Sequence, residues 1–273
     1  MQSVTQAALN REPQPLPFEN GLYRTPPVKN SVFINMLPSF SFYLKMFKIV
    51  FKASSDAKRM KYDTAEWGRS SLDIFHALEY VGIKAEITGA DNFINFAKPC
   101  VFIANHMSAL ETFILPCIIA PFRDVTFAVK KSLIDYPVFK YVIRSRDPIV
   151  VGRINPRDDL KAVLEGGTER LKAGRSIIIF PQTTRTDNFD AEKFNTIGIK
   201  LAKRAEAPII PIALKTDAWG NGKLIKDFGK IEPSKKVYFA FGQSMMIHGR
   251  GDAEHQKIIE FISANLKKWK SVE

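Results

Sequence analysis

From residue 84 onward, short runs of β-branched and other apolar residues alternate with longer segments of helical period. Runs bounded by Gly, Pro, Asp or Asn predict strands at Lys84–Thr88, Cys100–Ala104, Val125–Val129, Ile149–Val151, Ser176–Phe180, Ile209–Leu214 and Val237–Phe241. Apolar positions recurring at helical spacing predict helices over Ser108–Ala120, Ser132–Ser145, Arg157–Ala173, Thr196–Ala205 and Ala253–Trp269. This alternation predicts an α/β domain over residues 83–273, with a largely parallel central sheet flanked by helices. No internal repeat interrupts it.

The preceding segment reads differently. Ser31–Leu44 is apolar, but it is short and Pro38 breaks it. No stretch reaches the roughly 18 charge-free apolar residues that a spanning helix needs. The next residues, KMFKIVFKASSDAKRMK, set bulky apolar side chains among Lys45, Lys48, Lys52, Lys58, Arg59 and Lys61. That is the composition of an interfacial amphipathic helix, and equally of a core-facing helix with a solvated lysine side. A second helix over Thr64–Tyr80 completes a two-helix unit, residues 31–82, expected to associate with a membrane. Residues 1–30 hold several prolines and no period, and are expected to form a flexible extension. The N-terminus lacks the charged and apolar regions of a secretory signal.

In open α/β sheets, ligands bind beyond the carboxyl ends of the strands, so the residues that follow each strand carry the candidate chemistry. After Cys100–Ala104 come Asn105, His106, Ser108 and Glu111; after Ile149–Val151, Gly152 and Arg153; after Ser176–Phe180, Gln182, Thr183, Thr184 and Arg185. His106 and Glu111 would stand about 140° apart on one continuous helix. They meet only if His106 lies in the turn before the helix, where Asn105 and Ser108 are both suited to capping. A carboxylate bonded to one imidazole nitrogen leaves the other free to accept a proton. The alternative is a capping histidine with a solvated glutamate. Arg153 and Arg185 offer planar donor forks suited to a phosphate, with Thr183 and Thr184 adding neutral donors. Pairing of the two arginines with Asp158, Asp159 or Asp187 is the other possibility.

Composition narrows the classes. Forty Lys and Arg against 28 Asp and Glu give a net charge of +12, which suits an anionic partner: nucleic acid, anionic lipid, an acidic carrier or a phosphate. Nucleic acid is disfavoured, because no standard module is present and the aromatics lie in apolar runs. Cys100 and Cys117 have no metal-ligand spacing and are expected to be packed thiols. His76 is expected to be packed, and His248 and His255 solvated. There is no nucleophile elbow, no H-E-x-x-H, no phosphate loop and no dinucleotide fingerprint. No metal is implied.

Four ordered blocks then carry a resemblance. They are Asn105-His106 through Glu111; Ile149-Val150-Val151-Gly152-Arg153; Phe180-Pro181-Gln182-Thr183-Thr184-Arg185-Thr186; and Ala207-Pro208-Ile209-Ile210-Pro211-Ile212. In order and spacing they resemble the N-H-x-x-x-x-D, arginine, F-P-E-G-T-R-S and V-P-[IV]-[IV]-P-[IV] blocks of the glycerolphospholipid acyltransferases, the 1-acylglycerol-3-phosphate acyltransferase type. The resemblance implies transfer of a fatty acyl group from acyl-CoA or acyl-carrier protein to a lysoglycerophospholipid hydroxyl, 1-acylglycerol 3-phosphate first among acceptors. It makes His106 and Glu111 catalytic, has Arg153, Thr183, Thr184 and Arg185 hold the phosphate, and leaves Asn105, Ser108 and Gln182 in support. It implies no cofactor beyond the thioester co-substrate, and a site at the cytoplasmic face of a membrane rich in anionic lipid. Glu111, Gln182 and Thr183 replace the usual aspartate, glutamate and glycine, which permits a remodelled acceptor site. Glycerol 3-phosphate or another lysophospholipid is the alternative acceptor, and a non-catalytic membrane-surface protein the alternative class.

Overall fold

The structure, a computed structural model, describes residues 15–27, 36–182, 184–223 and 225–271. Its strands are β1 (Tyr23–Arg24), β2 (Ala85–Thr88), β3 (Val101–Ala104), β4 (Val125–Lys130), β5 (Ile149–Val151), β6 (Ser176–Ile179), β7 (Ile209–Lys215) and β8 (Val237–Phe241). They form one eight-stranded sheet in the order β1-β2-β8-β7-β3-β6-β4-β5. From β7 to β5 every neighbouring pair is parallel; β8 runs antiparallel to β7, and β1 antiparallel to β2. The expected largely parallel sheet is present. The central strands β3, β6 and β7 are buried along their whole length. Helices cover both of their faces, so they read as continuous apolar runs with no alternation.

The helices are α1 (Pro38–Lys58), α2 (Thr64–Tyr80), α3 (Asp91–Ile94), α4 (Leu110–Ile119), α5 (Phe139–Ser145), α6 (Pro156–Lys172), α7 (Ile197–Ala205) and α8 (Asp252–Lys270). Several begin as local chemistry dictates. The Asp63 carboxylate accepts the Glu66 N–H at the start of α2, and Asn155 accepts the Arg157 N–H at the start of α6, where Pro156 needs no partner. The predicted helix Ser132–Ser145 is broken. A 3₁₀ turn at Lys131–Leu133 is separated from α5, because Pro137 supplies no N–H and Val138 turns to a φ of 68°. The short α3 follows Gly89, whose φ of 74° and close approach to the Phe241 carbonyl exclude a side chain; no periodic pattern marked it.

The two N-terminal helices form as expected, and both pack onto the domain. On α1, Phe42, Met46, Val50, Ala53 and Ala57 face inward, with Phe42 set edge-on against the buried Trp219 ring at 4.9 Å. On the other side Phe40, Leu44, Phe47 and Phe51 are exposed. Pro116 interrupts α4, and the hydroxyl of Ser71 from α2 fills the break. It donates to the Phe113 carbonyl at 2.5 Å and accepts the Cys117 N–H at 2.8 Å. Among the described residues no helix is long and apolar enough to cross a membrane.

Two expectations change. Over residues 15–27 the chain is packed rather than loose: Leu16 and Tyr23 are buried, β1 pairs with β2, and the Tyr23 hydroxyl donates to Glu79 at 2.7 Å. Residues 1–14 and 28–30 of the expected extension lie outside the described residues, as do residues 31–35 of the two-helix unit. Of the histidines, His76 is exposed, because it falls on the outer side of α2, and His255 is half-buried against the Phe194 ring. Cys100 and Cys117 are buried free thiols, and burial pushes them up to about 11 and about 12.

Because Phe42 joins α1 to Trp219 with no exposed surface, Phe42→Ala is expected to cost about 3–5 kcal/mol of stability. Urea denaturation of the two proteins measures that difference.

Candidate active site

β3, β6, β4, β5 and β7 are parallel, so their carboxyl ends share one edge of the sheet. His106 leaves the end of β3 in a short turn, and Glu111 sits in the first turn of α4. The geometry required for their meeting is therefore present. His106 Nδ1 stands 2.8 Å from Glu111 Oε1, with the two side chains 12% and 0% exposed. The carboxylate also accepts the Met107 N–H at 2.6 Å, the Ser108 N–H at 3.0 Å and the Thr216 hydroxyl at 2.5 Å. Burial alone would push the Glu111 carboxyl up. The hydrogen bonds and proximity of His106, with the donors from Thr216 and Met107, outweigh it and hold the group below the ordinary carboxylate range. A carboxylate only accepts, so Nδ1 carries the ring proton and Nε2 is left as the acceptor.

The imidazole is fixed from three further directions. Its ring stacks on Phe180 at 4.3 Å, Gln182 Oε1 accepts the His106 N–H at 2.7 Å, and the His106 carbonyl accepts the Thr186 N–H at 3.0 Å. Gln182 in turn donates to the Thr186 hydroxyl at 2.8 Å. Gln182 is thus a buried strut between the turns after β3 and β6. Its amide addresses the backbone of the histidine, so the missing charge is missing from that strut.

The supporting residues divide. Ser108 acts as expected near the helix start: its hydroxyl accepts the Leu110 N–H at 3.1 Å and bonds Thr216. Asn105 does not cap α4. Its amide donates to the Leu214 carbonyl and accepts the Leu214 N–H, both at 2.8 Å, because a buried side-chain amide at the end of β3 can continue the ladder to β7.

The cationic residues divide as well. Arg185 Nη1 meets Asp227 Oδ1 at 2.5 Å, so it is paired, but with an acid 42 residues onward and not with Asp187. Arg153 is exposed at a φ of 57°, and the Gly152 and Arg153 N–H groups close onto the Asp159 carboxylate at 2.7 and 2.9 Å. With strands about 4.8 Å apart, β5 stands about 14 Å from β3, and Arg153 lines the same cavity as His106. Thr184 is exposed, and its hydroxyl accepts the Lys226 ammonium at 2.8 Å. Thr183 lies outside the described residues.

A cavity of about 440 Å³ opens at His106. Phe127, Trp67, Ile74, Val50, Phe113 and Val142 supply apolar walls; Arg153, Arg185 and Lys226 stand in the same lining. Phe180, Phe127 and Trp67 follow one another along one wall, with ring centres 6.1 and 5.8 Å apart. An apolar pocket with a few convergent polar groups at one end suits a ligand with an apolar chain and a polar head. Among the described residues no group of His, Cys, Asp and Glu is placed to hold a metal ion.

Thr216, Lys226 and Asp227 had no motif to mark them. Thr216 follows a strand, so the strand-end rule that singled out His106 reaches it too. Lys226 and Asp227 lie on a connection whose course only the folded chain shows.

The profile of the family described as Acyltransferase matches residues 84–215. That match covers just under half of the chain and includes the four blocks that resemble the glycerolphospholipid acyltransferases. It is 32% identical over 155 residues to a 1-acyl-sn-glycerol-3-phosphate acyltransferase of Pseudomonas aeruginosa, covering 57% of this chain and 58% of that protein. It is 28% identical over 191 residues to the protein of that name from Borreliella burgdorferi, covering 70% of each. The chain thus spans little more than half the length of the Pseudomonas relative it matches. A crystal structure of the 1-acyl-sn-glycerophosphate acyltransferase of Thermotoga maritima shares the fold, with a TM-score of 0.63 at 19% identity over 87% of this chain and 97% of that one. The family match begins at β2 and ends with β7. It contains every strand whose end supplies His106, Arg153 or Arg185, and it leaves out α1, α2 and the β7–β8 connection.

Because the folded state holds Glu111 below its ordinary pKa, the carboxylate stabilises the fold above the pKa of the unfolded chain. That stability is lost as pH falls through the lowered folded value. The stability gap between the natural protein and Glu111→Gln should therefore narrow on acidification below the usual carboxylate range. Urea midpoints across a pH series check the sign.

Proposed function

We propose that the protein transfers a fatty acyl group from an acyl thioester to the free hydroxyl of 1-acylglycerol 3-phosphate, as the names of its relatives suggest. The observation that carries this reading is the His106–Glu111 pair at the mouth of the apolar cavity. His106 Nε2 takes the proton of the acceptor hydroxyl while Glu111 stabilises the imidazolium that forms. The acceptor oxygen attacks the thioester carbonyl carbon. The tetrahedral intermediate then collapses, the C–S bond breaks, and the imidazolium returns its proton to the departing thiolate sulfur. Transfer is direct, because neither buried cysteine adjoins His106 and the chemistry needs no acyl-enzyme. The apolar cavity takes the acyl chain, and holding thioester and hydroxyl in contact supplies much of the rate. Acyl-CoA and acyl-carrier protein are both anionic donors suited to a surface of net charge +12.

The acceptor is a membrane lipid, and α1 supplies the means of reaching it. Phe40, Leu44, Phe47 and Phe51 form an exposed apolar stripe, and Lys45, Lys48 and Lys52 lie on the same helix. Burial of such a stripe at the acyl boundary, with the lysines meeting anionic headgroups, supports binding to a membrane surface, and an anionic cytoplasmic leaflet suits the lysines.

His106→Ala is expected to leave the fold intact and lower the transfer rate about 10²–10⁴-fold. Mass spectrometry of lipids formed from an acyl-CoA and mixed lyso-acceptors reads it; near-normal turnover by the folded variant would end the assignment. Replacing Phe40, Leu44, Phe47 and Phe51 together by Ser should abolish sedimentation with vesicles containing anionic lipid. Retained sedimentation would place the membrane contact elsewhere.

A further inference from the structure

The connection between β7 and β8 crosses the carboxyl edge of the sheet and contains none of the four sequence blocks. We infer that Lys226, on this connection, is a third cation of the acceptor-phosphate site, held in place by the interfacial helix α1. The inference rests on the acyl-transfer reading above and adds to it a residue that the family blocks do not contain.

The argument begins with charge. Arg185 and Asp227 form a close pair whose side chains are 14% and 27% exposed. The pair is neutral. It directs the remaining guanidinium N–H groups but contributes no net charge toward a phosphate monoester, which carries about −1.5 to −2 at neutral pH. Arg153 stands three strands from His106 in the sheet order. Lys130 and Arg146 also line the cavity, but Lys226 is the cation bonded to the turn that carries Arg185. Its ammonium lies 2.8 Å from the Thr184 hydroxyl and 3.4 Å from the Arg185 carbonyl. Both are neutral oxygens, and no carboxylate among the described residues pairs with it. An ammonium has three donors and no acceptor. Two are directed at the turn after β6, and the third is left for a ligand in the cavity that Lys226 lines together with His106 and Arg185.

The connection is not loosely hung. Trp219 is fully buried and donates from Nε1 to the Asp227 carbonyl at 3.0 Å. The Tyr43 hydroxyl of α1 donates to the Gly229 carbonyl at 2.5 Å, and the Ile231 N–H donates to Ser39 at 3.0 Å. The Phe228 ring lies 5.8 Å from that of Tyr43 and 5.5 Å from that of Phe47, itself part of the exposed stripe. Lys226 thus stands where the apolar face of α1 meets the cavity mouth. A lipid whose tail remains in the bilayer would present its phosphate at that junction.

The test compares steady-state kinetics of the full chain, Lys226→Ala, Lys226→Arg and Lys230→Ala, with 1-acylglycerol 3-phosphate in mixed micelles and an acyl-CoA donor. Lys230 is an exposed lysine of the same connection outside the cavity lining, so its loss removes equal charge without touching the site. Lys226→Ala should raise the acceptor KM about ten-fold, the worth of one charged hydrogen bond, with kcat and the donor KM unchanged. Lys226→Arg should restore most of the affinity, and Lys230→Ala should match the natural protein. An unchanged acceptor KM in Lys226→Ala, or an equal rise in Lys230→Ala, overturns the role. If the natural protein transfers to no phosphate-bearing lyso-acceptor, the acyl-transfer reading fails first and this role falls with it.

Discussion

The site depends on a carboxylate placed where water cannot reach it. Glu111 has no exposed surface, and an ionised group there is tolerable only if its oxygens are fully engaged. The chain engages them with two backbone N–H groups from the turn before α4, a hydroxyl from the end of β7 and the imidazole of His106. Three of these donors lie in the turn after β3 and the fourth follows β7. The carboxylate therefore fixes the turn after β3 to the end of β7 and to the His106 ring in one step. The longer side chain of glutamate, relative to aspartate, reaches all of these donors from the first turn of the helix.

That constraint organises its surroundings. With Nδ1 committed to Glu111 and the ring flat against Phe180, only Nε2 can address a substrate. The strut through Gln182 and Thr186 fixes the turn after β6 against the turn after β3, which keeps Arg185 in a set relation to the imidazole. Asn105 performs the matching task toward β7. Three neighbouring strands are thus locked together at their carboxyl ends by side chains, just where the backbone ladder stops.

The helix α1 serves three surfaces. Its inner residues build the wall of the cavity, its outer residues form the apolar stripe, and Ser39 and Tyr43 secure the connection that carries Lys226 and Asp227. One helix thus joins the apolar stripe, the cavity wall and the connection that carries Lys226. This explains why the exposed phenylalanines coexist with a fully buried Phe42 only two residues from Phe40.

Periodicity alone determined the α/β alternation, the two N-terminal helices and the strand ends at which chemistry would gather. Hydrophobic spacing is a local property, and the parallel sheet follows from it. The pairing of His106 with Glu111 was legible too, because a histidine before a helix and an acid in its first turn lie within one local segment. The partners that fix them were not. Thr216, Phe180 and Asp227 are brought to the site by strand order, and strand order is set by how the whole sheet packs. For the same reason Asn105 was misread as a cap, Arg185 found its acid on a distant connection, and residues 15–27 proved packed where their composition suggested slack. Local sequence encodes which elements form and which face of each is apolar. Which distant donors surround a buried charge is decided only when the packed sheet brings chain segments more than a hundred residues apart to one edge.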